Sequence, residues 1–322
     1  MRRRPLLAIV LVALIAASCG SDRSTAFDVS SDTGDESVGG VRAGSAKLAD
    51  GATLVLAAAE TTAAVTDVHI SMTAEMGGLP EFDGEFVSFF MEAAIAGDGS
   101  RGQLLIDFGD FIAAGSADDL AGLGAAANMI SEPIEMRFAD DMVYVSSGFI
   151  DWLFPVDTPW VAFPTETDSP GDVGIDTDAL SVAELMMVLK GMEADPEVAG
   201  HEMIDGVDTT HVRGRFSAEK LAELGGEFDF DGLGLGGFGL DDFDPTGLRG
   251  TEVDGLDVDV WIGDDDLVRR LRFGLDELSG LDTEAPGDAF VSFTIDFSDI
   301  GLPVVVEIPP ASEVTVLGDI FG

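Results

Sequence analysis

Cys19 carries the only thiol of this 322-residue chain, and it directly follows a short apolar stretch. The chain starts with three arginines at positions 2–4, continues with an apolar run over residues 6–17, and reaches Cys19 through one serine. A charged start, a short apolar core and small residues before a cleavage point are typical of a secretory signal peptide. The apolar run is shorter than the about 20 residues that a membrane-spanning helix needs. We therefore predict that residues 1–18 are a signal peptide.

A lone cysteine directly behind such a signal resembles the lipobox of bacterial lipoproteins. The resemblance implies that the Cys19 thiol is joined to a diacylglycerol through a thioether and that Cys19 becomes the mature N-terminus. It also implies a cell-membrane protein, held by its lipid on the extracytoplasmic face. The alternative is an ordinary secretory signal with a chance cysteine. With its cysteine used for the anchor, the mature domain has no disulfide and depends on its core for stability.

The three histidines, His69, His201 and His211, do not form a recognisable metal site. A two-residue turn at Asp205-Gly206 would place His201 and His211 on opposite faces of a sheet, and a three-residue turn would place them opposite each other. Two imidazoles without a third ligand make a poor zinc site. The chain also lacks a G-x-S-x-G elbow and a P-loop. We expect no catalysis, no metal and no cofactor.

Two acidic segments resemble calcium loops only in part. Residues 236–244 match the calcium-binding nonapeptide pattern once, whereas such repeats work in stacks of about three or more. Residues 264–266 are three aspartates without the ligand spacing or the glycine of an EF-hand loop. Neither segment predicts a calcium site.

Five arginines lie on two predicted strands: Arg213, Arg215, Arg269, Arg270 and Arg272. Because a guanidinium pairs well with phosphate, they are candidate contacts for an anionic lipid headgroup. The alternative is cross-strand pairing with acids such as Asp257 and Asp259, which so acidic a chain favours.

The charge balance limits the possible partners. The chain has 61 acidic and 16 basic residues, and removal of residues 1–18 takes away three arginines and no acid, which leaves a net charge of −48. Such a surface repels nucleic acid and anionic lipid headgroups. The acidity fits adaptation to salt water, where charges are screened over about 10 Å. A specific cationic partner is the alternative.

Composition divides the chain after the signal peptide into two parts. Residues 19–47 are rich in Ser, Gly and Asp, and they lack the apolar content that folding requires, so they are predicted to form a lipidated, disordered tether. Residues 48–322 are predicted to form a single domain. Within it, residues 225–250 are a Gly/Asp-rich insertion.

Two clear helices are predicted, at residues 52–65 and 181–193, and a short helix is predicted at residues 217–224. Ser181 and Glu184 have the spacing of a capping box at the start of the second helix. Its apolar residues recur at helical spacing, which fits either core packing or the wall of a pocket, and methionine adapts well to both. The candidate cavity wall consists of Val182, Leu185, Met186, Leu189, Phe293 and Ile295.

Alternating apolar residues predict about ten strands joined by hairpins. They cover residues 68–76, 86–96, 102–108, 134–138, 142–145, the hairpin 200–216, and residues 256–262, 267–273, 291–298 and 304–308. Many strands, few helices and hairpin connections favour one large antiparallel sheet of the α+β class.

Three segments resemble the LppX/LprG-type actinobacterial lipoproteins in order and spacing. They are the hairpin at 200–212, the pair formed by 258–262 and 267–271, and the pair formed by 297–301 and 308–310. The resemblance covers most of residues 45–317. It implies a large antiparallel sheet curved into a half-barrel, related to the LolA/LolB lipoprotein carriers, with helices covering the concave face around an apolar cavity.

The same resemblance implies a function. The cavity would hold acyl chains of a lipid or lipoglycan in transit across the cell envelope, and the protein would be a carrier without catalytic activity. The alternative is an anchored scaffold whose sheet binds another envelope protein and whose core holds no lipid.

Overall fold

The computed structural model describes residues 50–78, 86–96, 101–110, 132–139, 141–154, 156–164, 182–190, 192, 196–217, 256–276 and 290–316. The predicted signal peptide, Cys19 and the tether lie outside the described residues. So do the insertion at 225–250, Ser181 and the side chain of Glu184.

Three α-helices and twelve strands make up the described residues. The helices are α1 (Gly51–Ala63), α2 (Gly148–Leu153) and α3 (Val182–Lys190), and a 3-10 helix spans Ala311–Glu313. The strands are β1 (Val68–Gly77), β2 (Val87–Ala96), β3 (Arg101–Asp107), β4 (Ile134–Ala139), β5 (Met142–Ser146), β6 (Trp160–Pro164), β7 (Glu197–Ile204), β8 (Val207–Phe216), β9 (Leu256–Gly263), β10 (Val268–Asp276), β11 (Phe290–Ser298) and β12 (Val314–Val316).

All twelve strands join one sheet in the order β12-β6-β5-β4-β3-β2-β1-β11-β10-β9-β8-β7. Neighbouring strands are antiparallel throughout, except that β12 runs parallel to β6. This large antiparallel sheet with few helices confirms the predicted α+β class.

The two faces of the sheet differ sharply in polarity. In β1, Val68, Ile70 and Met72 are buried, and the side chains between them are half-buried. The register carries this alternation from strand to strand, because Met72 pairs with Ile295 of β11, which pairs with Leu271 of β10. We call the face that bears these apolar residues the inner face, and the opposite one the outer face.

The turn between β7 and β8 has two residues, Asp205 and Gly206. This is the two-residue alternative of the sequence analysis, not the three-residue one. Asp205 has φ 48° and Gly206 has φ 82°, and positive φ at both central positions is typical of a type I′ turn. His201 pairs with Thr210, so His201 and His211 lie on opposite faces of the sheet.

The prediction of a strand at 304–308 is wrong. In β11 both edges are already occupied, by β1 and β10, so the chain that leaves it cannot form a neighbouring strand there. Residues 299–313 instead run as a strap to the far edge of the sheet, where β12 pairs with β6. Two hydrogen bonds hold the strap. Val304 N donates to Asp67 Oδ1 (3.4 Å), and Arg137 Nη1 donates to the Glu307 carbonyl oxygen.

The described residues contain twelve strands, whereas about ten were predicted, because β6 and β12 are absent from the prediction. Strands β6 and β12 are short, and their sequences show too few alternating positions to be recognised.

Both clear helices exist, with slightly shorter bounds, and residues 218–224 of the predicted short helix lie outside the described residues. The Asp50 side chain caps α1 by accepting a hydrogen bond from Thr53 N (2.9 Å). Within the described part of the chain, no helix is long and apolar enough to cross a membrane.

Candidate functional site

The inner face of the sheet forms a continuous apolar surface across its middle. One row of paired residues runs from β8 to β4 through Val212, Val260, Leu271, Ile295, Met72, Met91, Ile106 and Ile134. Antiparallel pairing puts directly opposite residues on the same face, so the row follows from the register alone. Phe293 lies two residues from Ile295 on β11 and faces the same way, beside Ala74 and Phe273.

Helices α1 and α3 cover one half of this face. The two helices pack against each other, and α1 also contacts β7 to β10. At its start, a Cβ on Gly51 would lie 2.1 Å from the Pro196 carbonyl oxygen and 3.1 Å from Val212 Cγ1, so only glycine allows this approach. At its end, the Thr62 hydroxyl accepts a hydrogen bond from Val268 N (2.9 Å).

The predicted stripe of α3 lies in the same apolar layer. Val182, Leu185, Met186 and Leu189 are all buried and belong to one core cluster with the inner-face residues of the sheet. Past the helix, Met192 lies over β8, where a Cβ on Gly214 would stand 2.4 Å from its sulfur. The structure thus brings the four helical candidates and the two strand candidates, Phe293 and Ile295, into one layer.

Burial within this layer varies along individual strands. Over β1 and β2, Met72 keeps 8% of its surface exposed and Val87 keeps 1%, while Met91 is half-buried. On β10, Leu271 keeps 0%, whereas Phe273 is half-buried. Buried and half-buried apolar side chains therefore occur on both halves of the inner face.

Three methionines lie on the inner face over β1 to β4. Met72 and Met91 pair directly across β1 and β2, and Met136 lies two strands further on the same face. An unbranched thioether side chain changes shape easily, so it can close on neighbours or on a bound apolar molecule. This part of the inner face is therefore able to adapt.

Four of the five candidate arginines form ion pairs on the outer face of the sheet. Arg213 Nε lies 3.0 Å from Asp259 Oδ1, and Arg215 Nε lies 2.9 Å from Asp257 Oδ1. These are the cross-strand pairs that the sequence offered as the alternative to headgroup binding.

The remaining arginines are on β10. Arg269 pairs with Asp265, and Arg270 makes a two-point contact with Asp296, with Nη2 3.0 Å from Oδ2. The hydrogen bond to Asp296 raises the pKa of Arg270, and burial opposes this rise. Arg272 is exposed and, among the described residues, makes no ion pair. Arg272 is thus the arginine whose charge is open to an anion.

The outer face also holds a buried polar cluster that sequence reasoning missed. His211 Nε2 lies 2.6 Å from Asp259 Oδ1, and Nδ1 lies 3.2 Å from Glu202 Oε1. The imidazole stacks on Trp261, whose Nε1 donates to Glu202 Oε2 (3.1 Å). Every polar side-chain atom of His211 and Trp261 has a partner, so the cluster connects β7, β8 and β9.

The sequence contained a signal for this cluster. Alternation on β8 and β9 put His211, Asp259 and Trp261 on the polar face, but only the register between the strands shows that they meet. No group of three or more His, Cys, Asp or Glu side chains able to hold a metal occurs within the described ranges.

Several solved structures are similar to this chain at low sequence identity. LprF from Mycobacterium bovis is 18% identical, with a TM-score of 0.41 over 81% of this chain and 97% of that one. LppX from Mycobacterium tuberculosis is 15% identical, with a TM-score of 0.35 over 80% and 98%. A LolA superfamily protein from Nitrosomonas europaea is 8% identical, with a TM-score of 0.23 over 81% and 95%.

These structures belong to the two groups that the sequence motifs resemble. At such identities and TM-scores the likeness does not bear on ligand or activity. No protein-family model matches the chain. No curated protein matches it either.

Proposed function

We propose that this chain is a lipid-anchored, extracytoplasmic lipoprotein that holds acyl chains against the inner face of its sheet. The observation that carries the proposal is the continuous apolar row of the inner face, which runs from the strands that α1 contacts, β7 to β10, across β11 to β1 and β2. Met72 and Met91 lie in that row, and their thioether side chains can adapt to a bound apolar molecule.

The binding free energy would come from burial of methylene groups. Each buried CH₂ contributes about 0.8 kcal/mol, so an acyl chain of about 15 methylenes would gain on the order of 12 kcal/mol before the cost of association. Phe293 and Ile295 lie beside Ala74 and Met72, and so they would border the same chain. Leu185 would face it from α3.

The anchor and the tether complete the proposal. A diacylglycerol on Cys19 would hold the protein at the cell membrane, and residues 19–47 would let residues 48–322 move about 30 Å from the surface. The proposal involves no catalytic step and no cofactor.

The test is to identify what the protein binds. The mature chain, residues 19–322 with Cys19→Ser, would be produced in a host that supplies lipids and analysed by native mass spectrometry and organic extraction. A stoichiometric acyl lipid released on denaturation supports the carrier. A protein that stays lipid-free after incubation with envelope lipids, and that co-purifies with another envelope protein, supports the scaffold alternative instead.

A further inference from the structure

Along its middle strands, the described part of the inner face carries no polar side chain. On β1 to β4 and on β11, every described inner-face position holds an apolar residue or glycine. The buried polar side chains of the described strands all lie on the outer face; they are Thr209, His211, Asp259 and Ser292. A ligand on the inner face of these strands therefore meets hydrocarbon and thioether groups.

The backbone of these strands is equally closed to a ligand. Strands β1 to β4 and β11 each have a hydrogen-bonded neighbour on both sides. Their N–H and C=O groups are therefore used within the sheet. A hydroxyl group placed against this surface would lose its hydrogen bonds to water and would find no replacement there.

The buried sides of α1 and α3 are apolar as well, with one exception among the described residues. Val55 of α1 and Leu185, Met186 and Leu189 of α3 belong to the same apolar cluster as the strands. The exception is Thr62 at the end of α1, which is 1% exposed and whose hydroxyl accepts a hydrogen bond from Val268 N (2.9 Å). The covering helices thus match the strands in polarity.

The same surface tolerates different ligand shapes. Met72 and Met91 pair across β1 and β2, and Met136 lies on the same face of β4. Their unbranched side chains can rearrange around a straight or a bent chain, as methionine does on surfaces that bind many partners. Polarity, and not shape, is the property that this face can discriminate.

We propose that the inner face binds long unsubstituted hydrocarbon chains, straight or bent, and rejects the same chain when it carries a hydroxyl group near its middle. The inference rests on the proposed function, because it concerns the surface that would hold an acyl chain. An added hydroxyl weakens binding to an apolar site on the order of 10- to 100-fold, because the buried hydroxyl stays unpaired. A bend alone should change the affinity by less than about three-fold.

The experiment compares three fatty acids of equal length that share one head group: stearic acid, oleic acid with its cis double bond, and stearic acid hydroxylated at mid-chain. Each is used to displace the fluorescent polyene parinaric acid from residues 19–322 with Cys19→Ser, freed of co-purifying lipid. We expect stearic and oleic acid to displace the probe at similar concentrations. The hydroxylated acid should need on the order of 10- to 100-fold more.

A matched pair of variants tests whether the inner face sets this preference. Met91→Gln replaces the thioether by an amide of similar size, which can donate to and accept from a hydroxyl, so the preference for stearic acid over its hydroxylated form should fall about ten-fold. Glu92→Gln is the control, because it introduces the same amide at an exposed position on the outer face of the same strand. We expect this control to keep the preference of the parent chain. Circular dichroism checks that both variants are folded.

The outcomes separate this inference from the proposed function. If parinaric acid does not bind and none of the three acids is bound, the proposed function fails and the inference fails with it. If all three acids displace the probe equally, or if oleic acid is rejected as strongly as the hydroxylated acid, the carrier stands and the selectivity is refuted. An unchanged preference in folded Met91→Gln also refutes it, because the discriminating surface would then lie elsewhere. The comparison in the parent chain decides the question even if Met91→Gln does not fold.

Discussion

The rings of His211 and Trp261 lie face to face on neighbouring strands, with centroids 4.4 Å apart and planes inclined by 6°. The two residues pair directly across β8 and β9 on the outer face. Glu202 of β7 reaches both, and Asp259 holds the other nitrogen of the imidazole. The polar cluster therefore connects β7, β8 and β9 on the outer face. Helix α1 packs against the inner face of the same three strands.

Replacement of His211 by Ala should destabilise the protein by about 1–3 kcal/mol, because Asp259 and Glu202 would lose their shared partner while Asp259 stays buried. Urea unfolding measures the change. The control is His201→Ala, since His201 is exposed on β7 and should change stability by less than about 0.5 kcal/mol. Equal effects in the two variants would contradict a structural role for the cluster.

Gly51→Ala should destabilise the protein by about 1–3 kcal/mol, because its Cβ would overlap the Pro196 carbonyl, and backbone cannot move aside as a flexible side chain can. Thermal unfolding measures the change. Gly274→Ala is the control, since a Cβ at that position on β10 meets nothing within 4 Å. If both variants unfold at the same temperature, α1 is not held as closely to the sheet as the structure has it.

Met91→Trp should reduce the amount of co-purifying acyl lipid several-fold, because an indole on the inner face of β2 would compete for the surface against which the proposal places the acyl chain. Native mass spectrometry of the intact protein measures the lipid. The neighbouring residue supplies the control: Phe90→Trp changes an exposed side chain on the outer face of the same strand and should leave lipid occupancy unchanged. Unaltered occupancy in Met91→Trp would locate the lipid elsewhere.

The pair formed by Arg270 and Asp296 should show a favourable coupling of about 1 kcal/mol in a double-mutant cycle of Arg270→Ala and Asp296→Ala. The ion pair is bidentate and only partly exposed, so salt should weaken the coupling free energy without abolishing it. Arg272→Ala should change stability by less than about 0.5 kcal/mol. A coupling near zero would mean that Arg270 contributes through its packing alone.

Alternation in the sequence was enough to find most of the sheet. Strand β1 buries every second residue over its first nine positions, and residues 291–298 of β11 alternate apolar with polar side chains, so the pattern indicates both their existence and their inner face. The turn residues Asp205 and Gly206 likewise determined the β7–β8 register, because a two-residue type I′ turn leaves only one pairing.

Alternation failed where the tertiary fold overrides it. Residues 304–308 alternate like a strand, yet β11 has neighbours on both edges, so these residues cross the sheet as part of the strap. The short strand β12 then pairs parallel to β6, a contact between segments about 150 residues apart that no local pattern reveals.

The sequence by itself determined the strongly acidic character, the single cysteine behind a signal-like segment, the apolar faces of the long strands and the predicted lipid anchor, because each depends on residue types or short spacings. The tertiary structure decided which arginines pair with acids, that His211 meets Asp259 and Trp261, and that α1 packs over β7 to β10. These features depend on strand order and on register across the sheet, which bring together residues far apart in the chain.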